Sequence, residues 1–110
     1  MKRLVVTALF LLAGLAPAWA VEQAVLLDEG RRIARETCSQ CHLVEGDEKR
    51  VSAGPGMQGP AFAAVAAMPS TTSVAIKVFL KTPHANMPDI ILSEAEIDAL
   101  AIYILSLRSR

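Results

Sequence analysis

The sequence predicts an all-α fold with long loops, and two observations carry this prediction. Apolar residues recur at helical intervals, most clearly near the end of the chain, where Ile97, Leu100, Ala101 and Ile104 follow an i, i+3, i+4, i+7 pattern. No segment alternates apolar and polar residues as a half-buried strand does, and no internal repeat is present. The 110 residues are enough for one domain with a modest hydrophobic core.

The first three helices are predicted in order along the chain. A first helix is expected between Val21 and Thr37, where apolar and charged residues alternate and Gly30 is the weak point. A short apolar stretch at 61–68 predicts one or two helical turns. Several possible caps at 69–73 precede a middle helix that is expected to run through Leu80.

The last helix has the clearest start, because Ser93 stands three residues before Glu96, which is the spacing of a capping box. Two loops are expected between the helices. Gly, Pro and charged residues dominate 43–60, and Pro83 and Pro88 bracket the second loop.

The amino terminus has the three parts of a secretory signal peptide. Lys2 and Arg3 precede an apolar run, which ends in a small-x-small cleavage signal at Ala20. We therefore expect a leader at residues 1–20, a mature domain at residues 21–110 and export to the bacterial periplasm. The apolar run of thirteen residues is shorter than the roughly 20 that a helix needs to cross a bilayer, so no membrane span is expected after cleavage.

Charge argues against a nucleic-acid partner. Of the eleven Lys and Arg, two lie in the leader, so the mature chain has nine against eleven Asp and Glu and a net charge near −2. No run of five basic residues occurs. The mature aromatics are only Phe62, Phe79 and Tyr103, few for a domain of this size, and a large flat cofactor would fill such a core.

The segment Cys38-Ser39-Gln40-Cys41-His42 carries the chemistry. Two thiols one helical turn apart can form thioethers with the two vinyl groups on one porphyrin edge, while the adjacent imidazole binds the iron. The alternatives are a disulfide and a thioredoxin-like redox pair, but no βαβ pattern supports the latter and no second cysteine pair completes a zinc site. We therefore expect one covalently bound haem c with Cys38, Cys41 and His42 as its attachment and iron-binding residues.

A haem iron bound by one histidine needs a sixth ligand, and Met87 is the best candidate. It lies in the proline-bounded loop just before the capped helix, and a thioether ligand favours Fe(II) and suits an electron carrier. Met68, Met57 and His84 are alternatives. Of these, Met68 is expected to fill the core instead.

These motifs resemble the small class I cytochrome c family, and the resemblance covers most of the mature chain. In that family a glycine and a bulky residue three positions on precede the cysteine motif, as Gly30 and Ile33 do here. A Gly-Pro follows in the next loop, at Gly59-Pro60, and a Met-Pro precedes the final helix, at Met87-Pro88.

The resemblance implies the class I cytochrome c fold, with three to four helices and long loops wrapped around one haem. It implies that the Pro60 carbonyl accepts a hydrogen bond from the ring N–H of His42, which would fix the tautomer of the imidazole. It also places Tyr103 and Phe79 where the family has aromatic side chains near the haem, although ordinary helix packing explains both equally well.

The implied function is that of a soluble, monomeric electron carrier that is not an enzyme. Its partners would be redox proteins that bind transiently, such as a dehydrogenase, a cytochrome complex or an oxidase. The alternative is a five-coordinate or labile-methionine haem protein that binds gas or reacts with peroxide. The chain departs from mitochondrial members in its long charged insertion between His42 and Gly59 and in having only Lys77 and Lys81 near the presumed haem edge.

Overall fold

A computed structural model describes residue 14 and residues 16–45, 59–83 and 86–109. Over these ranges the chain is helical and contains no strand, which confirms the all-α prediction. The α-helices are α1 (Ala18–Ile33), α2 (Phe62–Ala67), α3 (Ser73–Lys81) and α4 (Glu94–Ser106). A π-helical turn, Ala34–Cys38, continues α1, and a 3-10 turn, Leu107–Ser109, continues α4.

Helix α1 begins earlier and ends earlier than its sequence pattern predicts. It starts at Ala18, so the cleavage site predicted after Ala20 falls in its first turn, and the π-helical turn replaces its last residues before Cys38. The first half of α1 is exposed, with Trp19 69% accessible. Only the second half of the helix reaches the core.

The helix starts follow the predicted capping chemistry. The Thr72 side chain accepts a hydrogen bond from the Ala75 N–H at 3.1 Å and begins α3. At α4, the Ser93 hydroxyl accepts from the Glu96 N–H and the Glu96 carboxylate accepts from the Ser93 N–H, at 3.3 Å and 2.7 Å. Both predicted caps are therefore present, and the capping box sets where α4 starts.

Helices α1 and α4 cross at Gly30, so this residue of low helix propensity is also the point of contact between the two helices. A Cβ at Gly30 would lie 2.1 Å from the Ala99 carbonyl oxygen and 2.7 Å from the Cβ of Tyr103. Any side chain would push the two helices apart. Glycine lowers the stability of the helix by about 1 kcal/mol relative to alanine, but at this position it lets the two helices approach closely.

Helix α4 is the centre of the core and is covered on almost every face. The four apolar residues that the sequence pattern selects are buried, and so are Ala99 and Tyr103, which lie outside that pattern. Helix α1 packs against α4 at Ala99 and Tyr103, and α2 and α3 also contact α4. The rest of the buried apolar core comprises Ile33, Ala34, Cys38, Val44, Phe62, Ala66, Ile76 and Leu107.

The carboxyl-terminal turn is tied to the connection between α2 and α3. Arg108 donates a hydrogen bond from Nε to the Ala66 carbonyl at 2.7 Å and another from Nη2 to the Thr71 carbonyl. The buried Thr71 hydroxyl in turn donates to the Val65 carbonyl at 2.7 Å. Arg108 thus gives donors to the Ala66 carbonyl, at the end of α2 where helix carbonyls lack backbone partners, and to the Thr71 carbonyl in the connection.

Across the described ranges, none of the helices is both long and apolar enough to cross a membrane.

Candidate functional site

The cysteine motif begins at the end of the π-helical turn. Cys38 is its last residue, and the Cys38 carbonyl accepts hydrogen bonds from the N–H groups of Cys41 and His42 at 3.1 Å and 3.0 Å. Cys38 is buried and Cys41 half-buried, and the two thiols are not joined in a disulfide. A tight turn thus brings the two thiols and the imidazole into one short segment.

Burial raises the pKa of the Cys38 thiol to about 11. The thiolate is the reactive form of cysteine, and the redox-active cysteines of thioredoxin-like proteins have a lowered pKa. Cys38 has the opposite shift, and the part of the chain that the structure describes offers no strand to build a βαβ unit. Both observations argue against the thiol redox alternative.

The His42 ring is held by one hydrogen bond and two packing contacts. Its Nδ1 lies 2.7 Å from the carbonyl oxygen of Pro60, which can only accept, so Nδ1 is the protonated nitrogen and donates. The Phe62 ring lies against the imidazole, with 5.1 Å between centroids. A Cβ at Gly59 would lie 2.3 Å from the imidazole Cε1, so only glycine leaves room for the ring. This tautomer leaves the Nε2 lone pair as the donor that can bind a metal.

The two residues after His42 are also fixed, each to a different element. The Leu43 carbonyl accepts a hydrogen bond from the Phe62 N–H at the start of α2, at 2.9 Å. The Val44 carbonyl accepts a buried hydrogen bond from the Tyr103 hydroxyl of α4, at 2.6 Å. With the hydrogen bond from the His42 ring to Pro60, three successive residues, 42–44, are therefore each fixed by a hydrogen bond to another part of the chain.

Tyr103 is the functional residue whose role the sequence pattern misses. It is 1% exposed, and the Arg31 guanidinium lies 5.9 Å from the centroid of its ring. Burial, and then the negative charge of Glu45, raise the pKa of the Tyr103 hydroxyl. The hydroxyl therefore keeps the proton that it donates to Val44. A lone aromatic residue in a helix gives no local signal of such a distant partner.

Met87 lies in a turn whose backbone is restricted from both sides. Asn86 has φ 69°, in the left-handed region that asparagine tolerates better than most side chains. Pro88 restricts Met87 itself to extended conformations, because the proline ring clashes with a helical residue before it. Met87 is half-buried.

Met87 and Cys38 line the same cavity, which has a volume of about 260 Å³. Its wall is mostly apolar, and its polar members are Lys81, Thr82 and Asp89. His42 is not part of this wall. An apolar wall with a thiol and a thioether sulfur on it fits a flat apolar group that is attached covalently beside Cys38. The remaining lining residues are Leu80, Pro83, Pro88, Ile90 and Leu92.

The other candidate ligands do not share this position. Met68 follows α2, is 47% exposed and does not line the cavity, so the expectation that it fills the core is wrong. Met57 and His84 lie outside the described residues. Phe79 on α3 is 51% exposed, and its place beside the haem stays a prediction.

Comparison with known proteins gives the family. Residues 25–104 match the family described as cytochrome C oxidase, cbb3-type, subunit III, a range that includes the cysteine motif and Met87. The chain is also 36% identical over 96 residues to cytochrome c-552 of Bradyrhizobium diazoefficiens, an alignment that covers 86% of this chain and 88% of the relative. No solved structure matches the chain significantly. With the all-helical fold, these similarities show that the chain is a monohaem c-type cytochrome of this family, with one covalently bound haem c.

Proposed function

We propose that this cytochrome is a periplasmic one-electron carrier with haem c attached to Cys38 and Cys41 and iron held between His42 and Met87. Membership in a family of c-type cytochromes supports electron transfer in general. One observation carries the specific assignment. Cys38 and Met87 face one cavity, while the hydrogen bond to Pro60 leaves Nε2 of His42 as the free lone pair.

The protein's own residues orient and tune this site. The Pro60 carbonyl fixes the tautomer of His42 and makes the imidazole a stronger donor, while Gly59 and Phe62 limit the rotation of the ring. The haem supplies reversible one-electron chemistry, and a thioether from Met87 favours its reduced form. His42 and Met87 would together hold the iron and would leave no coordination position for a substrate, which supports carrier chemistry.

The proposed periplasmic location rests on the predicted leader at residues 1–20, with residues 21–110 as the exported domain. The proposed partners are redox proteins that bind transiently to the monomer: a dehydrogenase, a cytochrome complex or an oxidase. The match to a family named for an oxidase subunit supports an oxidase among them. Determination of the amino-terminal residue of protein purified from the periplasm tests the export assignment.

The Met87 assignment is tested by replacing Met87 with alanine. We expect Met87→Ala to lose the weak far-red charge-transfer band of the oxidised protein and to bind carbon monoxide promptly when reduced. The matched control, Met68→Ala, should keep the band, because Met68 is exposed and away from the cavity. Survival of the band in Met87→Ala would refute the assignment. Prompt carbon monoxide binding by the unaltered protein at neutral pH would favour the gas-binding alternative.

A further inference from the structure

Two ion pairs join α3 to α4 near the Met87 loop, which we define as the described segment 86–93 that leads into α4. The Lys81 Nζ lies 2.5 Å from a Glu94 carboxylate oxygen, and the Lys77 Nζ lies 2.6 Å from a carboxylate oxygen of Asp98. The partners are four residues apart on each helix, so the pairs form two successive contacts between the helices. We call these four residues the ionic clasp.

The ionic clasp lies where the Met87 loop (residues 86–93) meets α4. Lys81 is the last residue of α3 and Glu94 is the first residue of α4, so their ion pair holds the start of α4, where this loop ends, against the end of α3. Lys81 also lines the cavity that Met87 faces. The second pair, Lys77 with Asp98, holds the same two helices one turn further from the loop.

The clasp also agrees with the helix dipoles. A cation at the carboxyl end of α3 and an anion at the amino end of α4 each interact favourably with the partial charges of their own helices. Residues 86–93 include no fully buried side chain: Ile91 is 98% exposed, and Ile90 and Leu92 are half-buried, with Leu92 packed against the core. A segment without fully buried side chains opens more readily than the core, so the contact that holds α4 against α3 contributes to its closure.

We propose that the ionic clasp positions Met87, so that Lys81 and Glu94, supported by Lys77 and Asp98, set how often the Met87 loop opens. The inference rests on the proposed function, because it takes Met87 as the iron ligand. Loss of the clasp lets the start of α4, where the Met87 loop ends, move away from α3 and raises the rate at which an external ligand can replace Met87. Salt has the same effect, because exposed charges are screened.

The expected size follows from the exposure of the pairs. The side chains of Lys81 and Glu94 are 43% and 78% exposed, and those of Lys77 and Asp98 are 36% and 48% exposed. Exposed ion pairs change an equilibrium constant by roughly 1.5- to 5-fold. We therefore expect loss of one pair to speed loop opening by a factor in this range.

The experiment measures the rate at which saturating imidazole binds to the oxidised holoprotein at a pH where the probe is largely neutral. Lys81→Gln and Glu94→Gln should each increase this limiting rate roughly 1.5- to 5-fold, and the double variant should be no faster than the faster single variant. Lys81→Arg should restore the original rate. The matched control is Arg32→Gln, which removes an exposed cation paired with Glu29 and Glu36 on the α1 side and should change nothing.

Salt provides a second measurement. High salt should speed imidazole binding to the unaltered protein and have a smaller effect on the double variant, which retains only the Lys77–Asp98 pair. If neither the substitutions nor salt changes the rate of imidazole binding, while the far-red band still depends on Met87, the clasp is overturned and the proposed function is left intact. Absence of that Met87-dependent band overturns the proposed ligand, and the clasp with it. A lower midpoint of chemical unfolding without faster imidazole binding shows a purely structural role and also overturns the inference.

Discussion

Gly59→Ala should displace the His42 ring, and the structure shows why one methyl group is enough. The added Cβ would lie 2.3 Å from Cε1 of His42, 2.5 Å from Nδ1 and 2.7 Å from Nε2. The shortest of these separations is 1.1 Å below the 3.4 Å at which ordinary contact begins. The φ of Gly59 lies outside the left-handed region, so the backbone itself accepts alanine and the conflict is purely steric.

The size of the effect has two parts. Forcing an extra carbon into a packed site costs about 1–3 kcal/mol, and weakening the hydrogen bond between His42 and Pro60 costs about 1 kcal/mol more. Either the ring moves by about an ångström or the 59–60 segment moves with the same result. We therefore expect the free energy of unfolding to fall by roughly 2–4 kcal/mol, together with a change at the iron.

The assay pairs chemical unfolding with spectroscopy of the oxidised holoprotein. Gly30→Ala is the matched control, because it adds the same methyl group 2.1 Å from the Ala99 carbonyl oxygen, at the α1–α4 crossing. Both variants should unfold at lower denaturant concentration. Only Gly59→Ala should also change the electron paramagnetic resonance g values and the reduction potential. An unchanged iron signal in Gly59→Ala, with wild-type stability, would refute the reasoning about His42.

Two further predictions concern the tyrosine and the methionine turn. Tyr103→Phe should lower the free energy of unfolding by about 1–3 kcal/mol, because the Val44 carbonyl loses its buried donor. Because the fold raises the pKa of Tyr103, its hydroxyl contributes fully to the free energy of unfolding below about pH 10, and this contribution is lost at higher pH. The free energy of unfolding measured across this range should decline in the unaltered protein, and Tyr103→Phe should lack this decline. Asn86→Val should weaken the far-red band and lower its thermal midpoint by an amount equivalent to about 1–2 kcal/mol, since a β-branched residue resists φ 69°, whereas Asn86→Gly should keep the band. A band in Asn86→Val as stable as in Asn86→Gly would contradict this account.

The features that the sequence predicts correctly depend on residues close together in the chain. The capping box at Ser93 and Glu96 and the cap at Thr72 are local hydrogen bonds, so their residue types are visible as motifs. The helical periodicity of α4 is likewise local. The short helix α2 lies within the predicted stretch 61–68 for the same reason.

The features that the sequence does not reveal join distant residues. The hydrogen bond from Tyr103 to Val44, the contact of Arg108 with Ala66 and the ionic clasp each link residues far apart in the chain, and no spacing rule selects such partners. The sequence shows only the low helix propensity of Gly30, and its part in the helix contact appears only when Ala99 is placed against it. The assignment of Met87 is intermediate. Prolines bracket its loop in the sequence, but the cavity shared with Cys38 is a property of the fold.

The crossing of α1 and α4 also constrains the order in which this protein can form. Gly30 and Ala99 are 69 positions apart, so the contact between α1 and α4 closes a loop that holds most of the domain. Contacts of such long range slow folding, because the entropy of loop closure must be overcome before the contact stabilises anything. Until α4 arrives, the segment after His42 lacks the Tyr103 hydrogen bond, and a chain that ends before α4 has no core to pack against. Loss of α4 therefore removes at once the centre of the core and the hydrogen bond that fixes the segment after His42.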